Sequence, residues 1–153
     1  MCRRDQRNER GAVVGRQKIF YDAQALLSGA YANRPSEKAK RQQATTLALQ
    51  WLTRAAFQEE ANAYYLLGSI YADGKLIAKD EVEAYKWFHL ATEAKHIMSE
   101  GARNALSAKL PPAKIEEAKR RAVQFVKDRE TAQARQSRPT PPEDKSAKDK
   151  PMK

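Results

Sequence analysis

Apolar and small side chains recur along this chain at three- and four-residue spacing, the period of a single helix face. In the central stretch Ala61, Tyr64, Leu67, Gly68 and Tyr71 share one stripe, and Ala84, Trp87, Phe88, Ala91 and Ala94 share a second. Asp73-Gly74 punctuates the two, since glycine takes a positive φ at little cost. Asp80 suits an N-cap, and Glu83 three residues later completes a capping-box pattern. Gly68 stands mid-helix, where glycine costs about 1 kcal/mol relative to alanine, and close approach of a second helix accounts for it. Residues 59–94 therefore predict two helices folded back on each other.

The same period continues on both sides. A helix from near Gln17 carries Ile19, Phe20, Ala23, Leu26, Leu27, Ala30 and Tyr31. Asn33-Arg34-Pro35-Ser36 interrupts it, because a residue before proline disfavours the helical region, and Ser36 is placed to cap a second helix. That helix packs from Ala44 to Phe57 through Leu47, Ala48, Trp51, Leu52 and Ala55. Downstream, Met98, Ala102, Ala105 and Leu106 mark one segment. Pro111-Pro112 stops it, with Pro112 suited to the first turn of a last helix bearing Ile115, Ala118, Ala122, Phe125 and Val126. Polar Met1–Gly15 reads as a mobile arm. The proline-rich, mixed-charge segment from Ala134 reads as a disordered tail.

The central hairpin resembles the Sel-one-like repeat, a relative of the tetratricopeptide repeat. Ala61, Ala63, Leu67, Gly68, Tyr71, Gly74, Asp80, Ala84, Trp87 and Ala91 carry the likeness. Leu76, Thr92 and Lys95 depart from it, Lys95 standing where the family ends its helix with glycine. An upstream copy places Ala48, Trp51 and Ala55 36 residues before Ala84, Trp87 and Ala91. Its first helix is offset by 40 residues, which sets Ala23, Leu27 and Tyr31 against Ala63, Leu67 and Tyr71. A degenerate third copy runs from Met98 to Lys127, and its LSAKLPPAKIEEAKRRA resembles the run that often closes such arrays in bacterial proteins. The resemblance implies an all-α fold of αα-hairpins stacked in a short right-handed superhelix, a tetratricopeptide-like solenoid. Its units would be 17–58, 59–95 and 97–130 within a domain of 16–130, between disordered ends 1–15 and 131–153. It further implies an adaptor or scaffold without catalysis or cofactor that recognises a protein or peptide partner.

Charge changes that picture at the ends only. Residues 1–20 hold six basic against two acidic side chains (+4), 21–100 nine against ten (−1), and 101–153 fourteen against seven (+7). The alternative function is thus an electrostatic binder of nucleic acid or an anionic membrane surface, using the flanks and the basic face Lys114, Lys119, Arg120, Arg121, Lys127 and Arg129. No aromatic residues interleave with these charges, which argues against base stacking. No apolar run approaches the ~18 residues of a membrane span. As written the chain reads as cytoplasmic, or as periplasmic or exported if its start omits a leader. Cys2 is the only cysteine, so no internal disulfide forms.

Candidate chemistry is sparse. His89, Glu93 and His96 have ligand spacing on a helix, but the helix should end before His96 and no fourth ligand is near, so no metal site is assigned. Glu59-Glu60 and Glu116-Glu117 point to different sides of a helix and cannot share a proton. No nucleophile–base pair or phosphate loop occurs, so no enzyme is expected. Trp51 and Trp87 are expected in the core. Tyr64 and Tyr65 cannot both face inward on one helix, so one should be partly exposed as a contact for a partner.

Overall fold

The structure, a computed structural model, describes residues 5–32 and 37–136, with backbone alone at 5–16 and at 136. Within these residues the fold is all-α: α1 (Asp5–Ala32), α2 (Lys38–Phe57), α3 (Ala61–Asp73), α4 (Glu81–Glu93), α5 (Ser99–Ser107) and α6 (Pro112–Gln136). Helices α1 and α2 pack as one hairpin and α3 and α4 as the next, with α2 against α3; α4 is then covered by α5 and α6.

The stripes read from the sequence form the cores. Ala23 and Leu27 of α1 meet Ala48, Leu52 and Ala55 of α2, and the cluster continues through Ala63, Tyr64, Leu67, Trp87 and Ala91. A second cluster joins Ala84, Tyr85 and Phe88 to Leu106, Leu110 and Ala118. Four residues expected on packed stripes fall outside, Tyr31, Leu47, Met98 and Ala105, all of them exposed. Leu47 is 46% exposed, because it lies about 100° round the helix from the buried Ala48–Leu52–Ala55 row. Met98, also exposed, precedes the first turn of α5 and belongs to no packed face.

The ends extend further than expected. Helix α1 already begins at Asp5, so residues 5–15 are helical and not an irregular arm. Gly11 and Gly15 each cost about 1 kcal/mol, yet no proline lies between them and the packed turns, and propagating a formed helix is cheap. Helix α6 runs to Gln136, past the expected boundary at 130, through the good helix formers Ala132 and Ala134. Ser36, the expected cap, and the tail 137–153 lie outside the described residues.

Local chemistry sets the turns. Gly74 takes φ 71°, and a Cβ there would come within 2.8 Å of that of Lys79, so glycine is required for both backbone and space. Asp80 Oδ1 accepts from the amides of Val82 (2.9 Å) and Glu83 (3.0 Å), as an N-cap does. The capping box, however, is not closed. The Asp80 amide donates to the carbonyl of Tyr71 (3.1 Å), and the Glu83 carboxylate is drawn to Lys86 and Arg121.

Helices α2 and α4 end alike. Glu59 (φ 62°) and Lys95 (φ 60°), 36 residues apart, both adopt the left-handed conformation. The amides of Glu60 and Glu59 return to the carbonyls of Ala55 and Ala56. Those of His96 and Lys95 return in the same pattern to Ala91 and Thr92. Each end is a Schellman turn built without glycine. Lys95 thus holds the geometry for which the resembled family uses glycine.

Gly68 has the close neighbour expected of it. A Cβ at this position would sit 2.8 Å from two ring carbons of Phe88, so it is the α4 aromatic ring that claims the space.

Candidate functional site

Two surfaces bear on function, one covered and one open. The covered surface lies where α6 crosses the hairpins. Trp87 stacks on Tyr64 with ring centroids 6.1 Å apart, and Phe125 of α6 seats its ring edge-to-face against Trp87 (4.9 Å), Phe57 (5.1 Å) and Tyr64 (6.2 Å). Lys86 Nζ lies 4.1 Å from the centre of the Trp87 ring, in cation–π range. Carboxylates rim the nest, and α6 brings arginines to them. Arg121 reaches Glu83 (2.8 Å) and its own-helix Glu117, while Arg129 reaches Glu59 (2.7 Å) and donates to the Tyr64 hydroxyl (3.0 Å). Burial pushes the Tyr64 phenol up, and the Arg129 cation opposes that rise. One turn on, Gln133 Nε2 donates to the carbonyl of Phe57 at 3.3 Å.

As expected, the two tyrosines do not both face inward: Tyr64 is buried and Tyr65 is the partly exposed one. Tyr64 is 2% exposed beneath α6 and offers no contact to a partner while that helix lies there. Tyr65 is half-buried, its ring stacked on His96 at 4.5 Å and tilted against Phe88 at 5.6 Å. Both are held because α3 has neighbours on two sides. Among the motif residues, Ala63, Leu67, Gly68, Ala84, Trp87, Ala91, Ala48 and Ala55 are buried, while Ala61, Tyr71 and Trp51 are half-buried. Tyr31 is 47% exposed, its hydroxyl 3.3 Å from Asp73 Oδ2.

The open surface follows α2. Lys38, Arg41, Thr46 and Leu49 of that helix and Leu76 and Ile77 of the α3–α4 loop bound a cleft of about 530 Å³. It adjoins a second, of about 560 Å³, through the shared Thr46 and Leu49, and this one runs on to Thr53 and Arg54. The signal was present in the sequence, where Gln42, Thr46, Leu49 and Thr53 follow helical spacing with mostly polar character. Only the structure shows that no other described helix covers them.

The remaining candidates are dispersed. Helix α4 ends at Glu93, and His96 turns away in the Schellman loop to lie on Tyr65, while His89 lies beside Tyr85 (6.3 Å). Burial depresses both histidines, Glu93 partly opposing this at His89. Among the described residues no group of three or more His, Cys, Asp or Glu is placed to hold a metal ion. Glu116 pairs with Lys119 (2.8 Å) and Glu117 with Arg121, so the adjacent carboxylates serve separate ion pairs. No described helix is long and apolar enough to cross a membrane.

What the geometry defines is an all-α protein of αα-hairpins with one face closed by its own last helix and another left open. No family model, no curated protein and no solved structure matches the chain.

Proposed function

We propose that the protein is a non-catalytic adaptor of the Sel-one-like kind, with α1/α2, α3/α4 and α5/α6 as successive units of a short right-handed superhelix. It recognises a protein or peptide partner on the open face of α2. The matched Schellman turns at Glu59 and Lys95, spaced by the 36-residue offset of the motif, support the repeat reading.

One observation carries the binding reading. By that offset Thr46 and Leu49 correspond to Val82 and Tyr85. On α4 these two pack with Leu106, Leu110, Ala118 and Ile115 of the following helices. On α2 the same register lines an open cleft. A face that is filled within the chain in one hairpin and open in the other is where a partner supplies the missing side chains.

Affinity capture with mass spectrometry tests this, comparing wild-type protein with Thr46→Arg, which fills the cleft from an exposed position, and Arg120→Glu on exposed α6. The expected result is a partner recovered by wild type and R120E and lost with T46R. Capture lost with R120E and kept with T46R would overturn the adaptor reading in favour of the electrostatic one.

A further inference from the structure

The open cleft has a chemical polarity that identifies its occupant more closely, and this inference rests on the adaptor reading above. Among the described residues no carboxylate lines the cleft, whereas Lys38, Arg41 and Lys75 do. Asp73, beside it, is engaged by Lys75 (3.3 Å) and by the Tyr31 hydroxyl (3.3 Å). Among the described residues no carboxylate pairs with Lys38 or Arg41. The nearby Glu37 pairs with Lys40, which is not a lining residue.

Arg41 is already oriented. One of its Nη atoms donates to the carbonyl of Lys75, anchoring the guanidinium to the α3–α4 loop with most of its five donors unpartnered among the described residues. Behind the cations the floor is aliphatic, formed by Leu49, Leu76 and Ile77. At the far end of α2, Arg54 lies over the Trp51 ring at 5.1 Å and likewise pairs with no carboxylate among the described residues. From Lys38 to Arg54 the groove extends about 24 Å along the helix axis.

We infer that this groove binds an acidic amphipathic peptide segment of a partner protein, apolar side chains on Leu49, Leu76 and Ile77 and carboxylates toward Lys38, Arg41 and Arg54. Three features select that class. The positive rim excludes a basic partner, including this chain's own α6, whose Arg121 and Arg129 are paired with Glu83, Glu117 and Glu59. The floor of Leu49, Leu76 and Ile77 is aliphatic and the one ring at the far end, Trp51, already carries Arg54 over it, which disfavours stacking of successive bases of single-stranded nucleic acid. A recessed floor matches inserted side chains better than a flat lipid headgroup layer. Electrostatic complementarity of this kind contributes chiefly to specificity and on-rate.

The test uses the full chain and three labelled synthetic peptides of about 16 residues, the number that spans the groove as a helix. One has leucines on one face and glutamates flanking them, the second has lysine for every glutamate, and the third has serine for every leucine. Binding is read by fluorescence anisotropy, with random-sequence RNA and phosphatidylserine vesicles as competitors. The glutamate–leucine peptide should bind, and both changed peptides should lose about tenfold or more in affinity. Lys38→Glu, which alters an exposed side chain with no side-chain hydrogen bond among the described residues, should weaken binding, and K38E with Arg41→Glu should weaken it further. A thermal melt shows that each variant folds.

Equal binding of the lysine peptide, or binding indifferent to K38E in a folded protein, would overturn the acidic class. Displacement of the peptide by RNA or vesicles at lower concentration would do the same. These failures are separable from failure of the adaptor reading. A cellular partner captured by wild type and lost with T46R, yet insensitive to K38E, keeps the adaptor and removes only the acidic partner.

Discussion

Trp51 and Trp87 occupy the same motif position 36 residues apart, but the structure treats them differently. Trp87 is 5% exposed, enclosed by Tyr64, Lys86 and Phe125. Trp51 is half-buried, packed against the core, with the guanidinium of Arg54 over its ring. The contrast extends along both hairpins: Tyr85 is buried where Leu49 lines a cleft, and Tyr71 is half-buried where Tyr31 is exposed. The lesson is that a motif residue's place in a helix pattern sets its direction, while its burial depends on what arrives over it. In the second hairpin α5 and α6 arrive. Among the described residues nothing equivalent covers this face of the first, and that difference separates a closed face from an open one.

The sharpest way to break the comparison is to truncate both tryptophans. Trp87→Ala should cost about 3–5 kcal/mol, as for a core aromatic, and Trp51→Ala no more than about half of that, both measured by urea unfolding. Equal losses would mean that Arg54 shields its ring as well as Phe125 does. Next in size is Gly68→Leu, expected to cost roughly 1–3 kcal/mol or more by forcing Phe88 aside. Its counterpart by the 40-residue offset, Ser28, is exposed, and Ser28→Leu should stay within about 0.5 kcal/mol. An unchanged melting temperature for G68L would remove the close-packing account of that glycine.

These two positions also show what the sequence made legible. The hairpin, the Gly74 turn and the Asp80 cap were readable because each depends on nearby residues, and Gly68 because the helix that crowds it is the next one in the chain. The closed state of Tyr64 was not readable. Adjacent tyrosines differ by about 100° around a helix, and which one is sealed depends on Phe125 and Arg129, more than sixty residues downstream. The α6 stripe announced a packed helix but did not say that it would cross back over α3. The open α2 cleft was hidden for the reciprocal reason, since no local pattern records that a neighbour is missing.

A double-mutant cycle sharpens the account at lower energy. Phe125→Ala combined with Trp87→Ala should show a coupling of about 0.5–1.5 kcal/mol from the edge-to-face contact. The same change combined with Trp51→Ala should be additive within about 0.5 kcal/mol. Coupling to Trp51 of equal size would show that the two hairpins share one aromatic network. Lys95→Gly should raise stability by about 0.5–1 kcal/mol, since a left-handed lysine costs about 1–2 kcal/mol and glycine's greater unfolded-state freedom offsets part of the relief. A lower melting temperature for K95G would contradict the strain at this turn.

The smallest effect is in pH. Burial depresses both His89 and His96 below their ordinary 6.5, and their buried Nδ1 atoms have no hydrogen-bond partner among the described residues. The unfolded chain therefore binds protons at a pH where the folded chain does not. Stability should be fully present above about pH 6.5 and fall as the pH drops toward the depressed folded values. Denaturation midpoints between neutral and mildly acidic pH check this, and His96→Gln should flatten its share of the slope. A slope unchanged in H96Q assigns the pH dependence to other groups.

The strap formed by α6 also has a consequence in time. Tyr64 and the Arg129 that seals it are separated by 65 residues, which a ribosome adding ~5–20 residues per second delivers over about 3–13 s. Helices and their local contacts form in microseconds. The α3/α4 hairpin therefore emerges complete long before its cover, with Phe57, Tyr64 and Trp87 bare for seconds. During that interval the nascent chain presents an aromatic surface to any chaperone or neighbouring chain on the polysome. A translational pause between residues 88 and 125 would lengthen the exposure without changing a single amino acid.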